Sequence, residues 1–130
     1  MQYFARIVAS DPLTIHFSLH NDGPEPAWIP RVLRPLGVMV QVEVRSERGQ
    51  VVYENPAVRA TWKLQPGDDE SYQQLEPGYT FGVVLVLDDF EPEPGRYEVR
   101  LSYTNAPYRG TAARKVGEMR YSTVLPFVVG

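Results

Sequence analysis

The chain has 130 residues, no cysteine, 43% hydrophobic and 22% charged residues, and a formal net charge of −3. Disulfide staples and thiolate zinc sites are therefore excluded, and the composition is that of a folded rather than a disordered chain. The net acidity argues against nonspecific nucleic-acid binding, which depends on neutralising phosphates.

A length near the commonest domain size predicts one domain over residues 1–130, large enough to bury a core unaided. Met1–Phe17 carries a single basic residue, Arg6, and no long apolar run, so it does not read as a signal peptide. No stretch has the length and apolarity of a membrane span. A cytoplasmic location is the expectation, with an exported form left open.

The dominant period along the chain is two. Leu13, Ile15, Phe17 and Leu19 alternate with Thr14, His16, Ser18 and His20. Asn21-Asp22-Gly23-Pro24 then ends that run. Pro24 to Leu36 follows, with four prolines and the apolar Trp28, Ile29, Val32 and Leu33. It reads as an extended crossover packed over one end of the core, or as an exposed Trp/Arg recognition patch built on Trp28, Arg31 and Arg34.

Val38, Val40, Val42 and Val44 form the next alternating strand, joined through Glu47-Arg48-Gly49-Gln50 to Val51–Tyr53 as a hairpin. Val58, Ala60, Trp62 and Leu64 alternate again. Tyr79–Leu87 is apolar on both faces, which predicts a central strand whose outer face is partly covered. Tyr97, Val99, Leu101 and Tyr103 form another strand. Thr123–Val129 is the last, and Pro126 confines it to a sheet edge because proline cannot donate to the ladder. Pro-Gly turns at 66–67, 77–78 and 94–95 punctuate these runs. Seven to eight short strands with such turns predict an all-β antiparallel sandwich.

Tyr97 lies just inside its strand after Pro94-Gly95, two residues before Val99. In immunoglobulin-like sandwiches a tyrosine placed this way bonds back to the preceding loop, and the apolar Val99 suits a version without the disulfide. The alternative is that Tyr97 is simply an inward aromatic.

No catalytic, cofactor or metal site is expected. His16 and His20 share one strand face but stand ~13 Å apart, too far to hold one ion. Ser18 lies between them without the glycine-flanked elbow of a nucleophile. The acids Asp88, Asp89, Glu91 and Glu93, like Asp68, Asp69 and Glu70, read as solvated loop carboxylates, with calcium binding left open. Charge is unevenly spread: Leu64–Gly95 holds eight acids and no Lys or Arg, whereas Ala106–Tyr121 holds Arg109, Arg114, Lys115 and Arg120 against Glu118. With Tyr108, those four basic residues make Ala106–Arg120 a candidate partner-binding loop; a plain hairpin tip is the other reading.

Five segments carry a family resemblance: Leu19-His20-Asn21, Pro35-Leu36, Tyr53–Arg59, Leu75-Glu76-Pro77-Gly78 and Pro94-Gly95-Arg96-Tyr97-Glu98-Val99. Together they resemble the immunoglobulin-like domain that precedes the catalytic domain of deuterolysin-type metallopeptidases, and its stand-alone bacterial relatives. The matches span residues 13 to 104 and concern turns and core positions. Asn55 departs from the glycine of that pattern. The zinc-binding His-Glu-x-x-His of the peptidase is absent, so the resemblance implies a fold and carries over no catalytic residue. The chain is also similar in fold to bacterial intracellular proteinase inhibitors of immunoglobulin-like type. The expectation is a non-enzymatic module binding another protein or itself, with neither nucleic acid nor membrane insertion. The alternative is a proteinase inhibitor acting through a long loop, Ala106–Arg120 or Asp88–Gly95.

Overall fold

Strict alternation puts one side of a strand in the core, and the computed structural model shows this in the long strands over 13–20, 40–46, 80–87, 95–104 and 119–129. It describes residues 1–31, 40–55, 72–105 and 119–130. Nine strands occur there: β1 (Gln2–Ser10), β2 (Leu13–His20), β3 (Ala27–Pro30), β4 (Val40–Ser46), β5 (Val51–Glu54), β6 (Tyr72–Leu75), β7 (Thr80–Leu87), β8 (Gly95–Asn105) and β9 (Met119–Val129). All pairings are antiparallel. One sheet has the order β1-β2-β7, a second β5-β4-β8-β9, and β3 pairs with β6 in a small ribbon. The chain is an all-β antiparallel sandwich.

The core lies between the two larger sheets. Leu13, Ile15, Phe17 and Leu19 of β2 have no exposed surface, and they meet Val40, Val42 and Val44 of β4 with Val99, Leu101 and Tyr103 of β8. Aromatic contacts bridge the layers at one flank. Tyr3 stacks on Tyr121 with centroids 4.9 Å apart, and Phe17 meets Tyr103 at 5.7 Å. At the opposite end Tyr53, Phe90, Tyr97 and Phe127 form a chain of ring contacts at 5.3, 6.1 and 5.4 Å.

Each end of the sandwich is held by one polar residue. The Tyr97 hydroxyl donates to the Glu93 carbonyl oxygen at 2.5 Å, four residues upstream. This is the tyrosine corner that the Pro-Gly-x-Tyr spacing predicts. At the other end Asn21, 3% exposed, uses every polar group it has. Its Nδ2 donates to the carbonyls of Glu25 and Leu75, both at 2.8 Å, and its Oδ1 accepts from the Gly23 N–H at 3.0 Å. Its backbone N–H donates to the Tyr79 carbonyl and its carbonyl accepts from the Gly78 N–H. Gly78 reaches that carbonyl with φ of 83°, a left-handed conformation that favours glycine. One side chain thus joins the end of β2, the loop towards β3, the end of β6 and the turn into β7.

Several expectations change. Three strands were not anticipated: β1, β3 and β6. β1 escapes a period-two reading because its outer positions mix Phe4 and Val8 with Gln2 and Arg6, and its pairing shifts register between Ile7 and Ala9. The count of seven to eight strands is therefore corrected to nine among the described residues. β7 pairs there with β2 alone, so the central position expected for it is corrected to a sheet edge among the described residues; of its outer valines, Val84 is 61% and Val86 49% exposed. The hairpin of β4 with β5 is as expected, with Gly49 at φ 81° in its turn. β9 ends its sheet and carries Pro126 opposite Glu98, as the proline required. The crossover packs inward as far as it is described: Ile29 has no exposed surface and Pro30 is buried. The strand read over Val58–Leu64 lies outside the described residues.

Replacing Asn21 by Leu removes three side-chain hydrogen bonds from a buried position, and urea unfolding should show a loss of about 3 kcal/mol. Tyr97→Phe should cost about 1 kcal/mol in the same assay. A loss at Asn21 no larger than that at Tyr97 would contradict the assignment of Asn21 as the tie between four segments.

Candidate interaction surface

Alternation also decides what each sheet shows to the outside, and the two sheets differ. On the four-stranded sheet the outward positions of β4 and β8 pair opposite charges, while the outer strands β5 and β9 leave Val51, Val124 and Val128 exposed. Glu43 of β4 lies opposite Arg100 of β8, and Arg45 lies opposite Glu98. The Arg45 Nε also donates to Glu43 Oε1 at 2.5 Å. Such cross-strand pairs stabilise a wet sheet face by a few tenths to about 1 kcal/mol each. Two open cavities of about 490 and 590 Å³ lie over this charged face, one walled by Glu43, Glu54 and Arg100, the other by Arg45, Arg96 and Val128. Both are open; the charges of the first balance, whereas the second sets Arg45, Arg96 and Arg100 against Glu47 and Glu98 beside Pro126, Phe127 and Val128.

The three-stranded sheet presents Gln2, Phe4, Arg6 and Val8 from β1, Thr14, His16, Ser18 and His20 from β2, and Thr80, Gly82, Val84 and Val86 from β7. None of these is Asp or Glu, in a chain with 16 acids. Four are large apolar side chains left open: Phe4 is 55% exposed, Val8 56%, Val84 61% and Val86 49%. Single exposed apolar residues are ordinary, whereas four on one face of three strands mark a candidate contact surface.

The register sets the pattern across that face. Phe4, Ser18 and Gly82 form one row; Arg6, His16 and Val84 form the next; Thr14 and Val86 lie in a third, beside the β1 bulge. A methyl group on Gly82 would come within 3.2 Å of His16 Nε2, so the glycine leaves room for that ring against β7. His20 is fixed by a 2.8 Å hydrogen bond between its Nδ1 and the Thr80 hydroxyl. Both histidines are half-buried by their neighbours. Ser18 between them is 9% exposed. Among the described residues no three His, Cys, Asp or Glu side chains converge as a metal site.

The sequence-derived candidates fare unevenly. Trp28 sits half-buried in β3 opposite Gln74, and Arg31 is exposed immediately after that strand. Arg120 is exposed in β9 opposite Thr104, in a different sheet from Trp28. Each of the three engages a partner of its own. Arg34, Tyr108, Arg109, Arg114 and Lys115 lie outside the described residues, as do Asp68, Asp69 and Glu70. The acidic turn 88–94 is anchored: Phe90 is buried, and the Tyr53 hydroxyl donates to Asp89 Oδ1 at 2.8 Å. Burial, followed by that carboxylate, pushes the Tyr53 hydroxyl pKa well above the ordinary phenol value.

Sequence reasoning missed Phe4, Arg6 and Val8 because β1 itself was not recognised. Val84 and Val86 were recognised as apolar and placed on a partly covered face of a central strand. Among the described residues no helix is long and apolar enough to cross a membrane. No protein-family model matches the chain, and no curated protein matches it significantly.

Exposure on this face makes a stability forecast. Val84→Glu and Val86→Glu should each change the unfolding free energy by no more than about 0.5 kcal/mol, whereas Leu85→Ala, between them and 3% exposed, should cost about 2–5 kcal/mol. Chemical denaturation of the three variants checks this; a severe loss on Val84→Glu would show that the face is part of the core.

Proposed function

We propose that this chain is a non-catalytic protein-interaction module of immunoglobulin-like fold, binding its partner through the outer face of β1-β2-β7. The observation that carries the reading is the contrast between the two outer faces. One pairs opposite charges between β4 and β8, with Glu54 beside Glu43 and with Val51, Val124 and Val128 exposed on its outer strands β5 and β9. The other leaves Phe4, Val8, Val84 and Val86 exposed with no acid among them. Interface centres are depleted in charge and enriched in apolar and aromatic groups, with arginine the favoured cation. Arg6 fits that composition.

Several features support the immunoglobulin-like assignment. The sheet orders β1-β2-β7 and β5-β4-β8-β9 follow the A-B-E and C′-C-F-G arrangement of such sandwiches. The tyrosine corner at Tyr97 stands two residues before the fully buried Val99. The likeness to the domain preceding deuterolysin-type peptidases points the same way.

The test is differential capture from the source organism. Immobilised wild-type protein is compared with Phe4→Glu/Val84→Glu, altered on the proposed face, and with Val124→Glu, altered on the other sheet. The proposal expects proteins retained by the wild type and by Val124→Glu to be lost from the double variant. Identical sets from all three would remove its support.

A further inference from the structure

We propose that the outer face of β1-β2-β7 takes a short extended peptide segment in which an acidic side chain lies between two apolar ones at alternate positions, the carboxylate docking beside Arg6 and His16. This rests on the interaction-surface reading and names its occupant.

Size excludes most alternatives. Three strands ~4.8 Å apart and eight residues long at ~3.3 Å per residue give a platform of about 10 by 26 Å, a few hundred Å². A stable protein interface buries roughly 800 Å² per partner, so this face is too small to hold a second copy of the chain or another whole domain by itself. It matches one extended segment of seven or eight residues.

Charge sets the chemistry of that segment. The face has a single permanent cation, Arg6, and among the described residues no carboxylate pairs with it. Arg6 and His16 are direct cross-strand neighbours, so two nitrogen-bearing side chains stand side by side at the centre of the face. Guanidinium groups bind carboxylates through paired hydrogen bonds, and none of the outward residues of this sheet is an acid that would compete for Arg6.

Spacing sets the order. Along β1 the outward residues run Phe4, Arg6, Val8, apolar–cationic–apolar at two-residue steps. Val84 shares the row of Arg6, with Val86 two residues further along β7. An extended peptide shows every second side chain to the same side at the same ~6–7 Å step. Its complement is therefore apolar–x–acidic–x–apolar, with the acid over Arg6 and His16 and the apolar groups over Phe4 and the valines.

The experiment uses the full chain, ¹⁵N-labelled, titrated with the capped peptide Val-Thr-Glu-Thr-Val and with the same peptide carrying Lys in place of Glu. The proposal expects amide shifts along β1, β2 and β7 with the Glu peptide, none with the Lys peptide, and weakening as salt is raised. Arg6→Gln should lower the affinity about tenfold, the loss of one charge-assisted contact. Equal shifts from both peptides, shifts confined to other strands, or no shifts at millimolar peptide would overturn it. So would concentration-dependent dimerisation by sedimentation that is abolished by Val84→Glu, which would assign the face to a second copy. If the peptide fails while the face variant still loses its captured partners, the occupant is wrong and the interaction surface stands; if both fail, the interaction reading falls as well.

Discussion

The structure depends on β2. It is the middle strand of its sheet, paired with β1 on one side and β7 on the other, and its four inward residues have no exposed surface. Because side chains alternate strictly, burying Leu13, Ile15, Phe17 and Leu19 forces Thr14, His16, Ser18 and His20 outward. A slip of one residue would exchange the two sets, placing two histidines in the core and four large hydrophobes in water. The same register also fixes which residues of β1 and β7 stand next to His16. The core and the candidate surface are thus two sides of one constraint.

The sheets are closed by residues whose cost of loss is polar rather than apolar. Asn21 and Tyr97 sit at opposite ends of the sandwich, and each ties a loop to a strand through a backbone carbonyl. Asn55 does similar work at the edge of the second sheet. Its backbone N–H donates to the Val42 carbonyl at 3.1 Å, and its Oδ1 accepts from the Val42 N–H at 2.6 Å. The asparagine therefore satisfies both backbone groups of Val42 where β5 has ended. That accounts physically for a residue that departs from the glycine of the resembling pattern.

Much of the fold was legible because burial on one face leaves a period of two. The inner residues of β2, β4 and β8 could be read directly, and so could the tyrosine corner, since both its turn and its tyrosine are local in sequence. The β3–β6 ribbon was not legible: it joins residues about 45 apart whose short runs carry too few side chains to show a period. Nor was the surface. Val84 and Val86 announce apolarity, but only the three-dimensional arrangement shows that they are 61% and 49% exposed. Arg6 and His16 become a pair only through the register of β1 on β2, which could not be read while β1 itself went unrecognised.

The central claim is that one outer face makes contacts and the other faces water. The chain has no cysteine, so single cysteines can report on each face without background. Val84→Cys and Val124→Cys replace valines 61% and 47% exposed, one on each sheet. Thiol alkylation rates would be compared for the purified protein and for the protein expressed in its native cells. The account predicts that both label readily when purified, and that in cells only the cysteine at position 84 is protected. Equal labelling of the two in cells, or protection at position 124 alone, would contradict it.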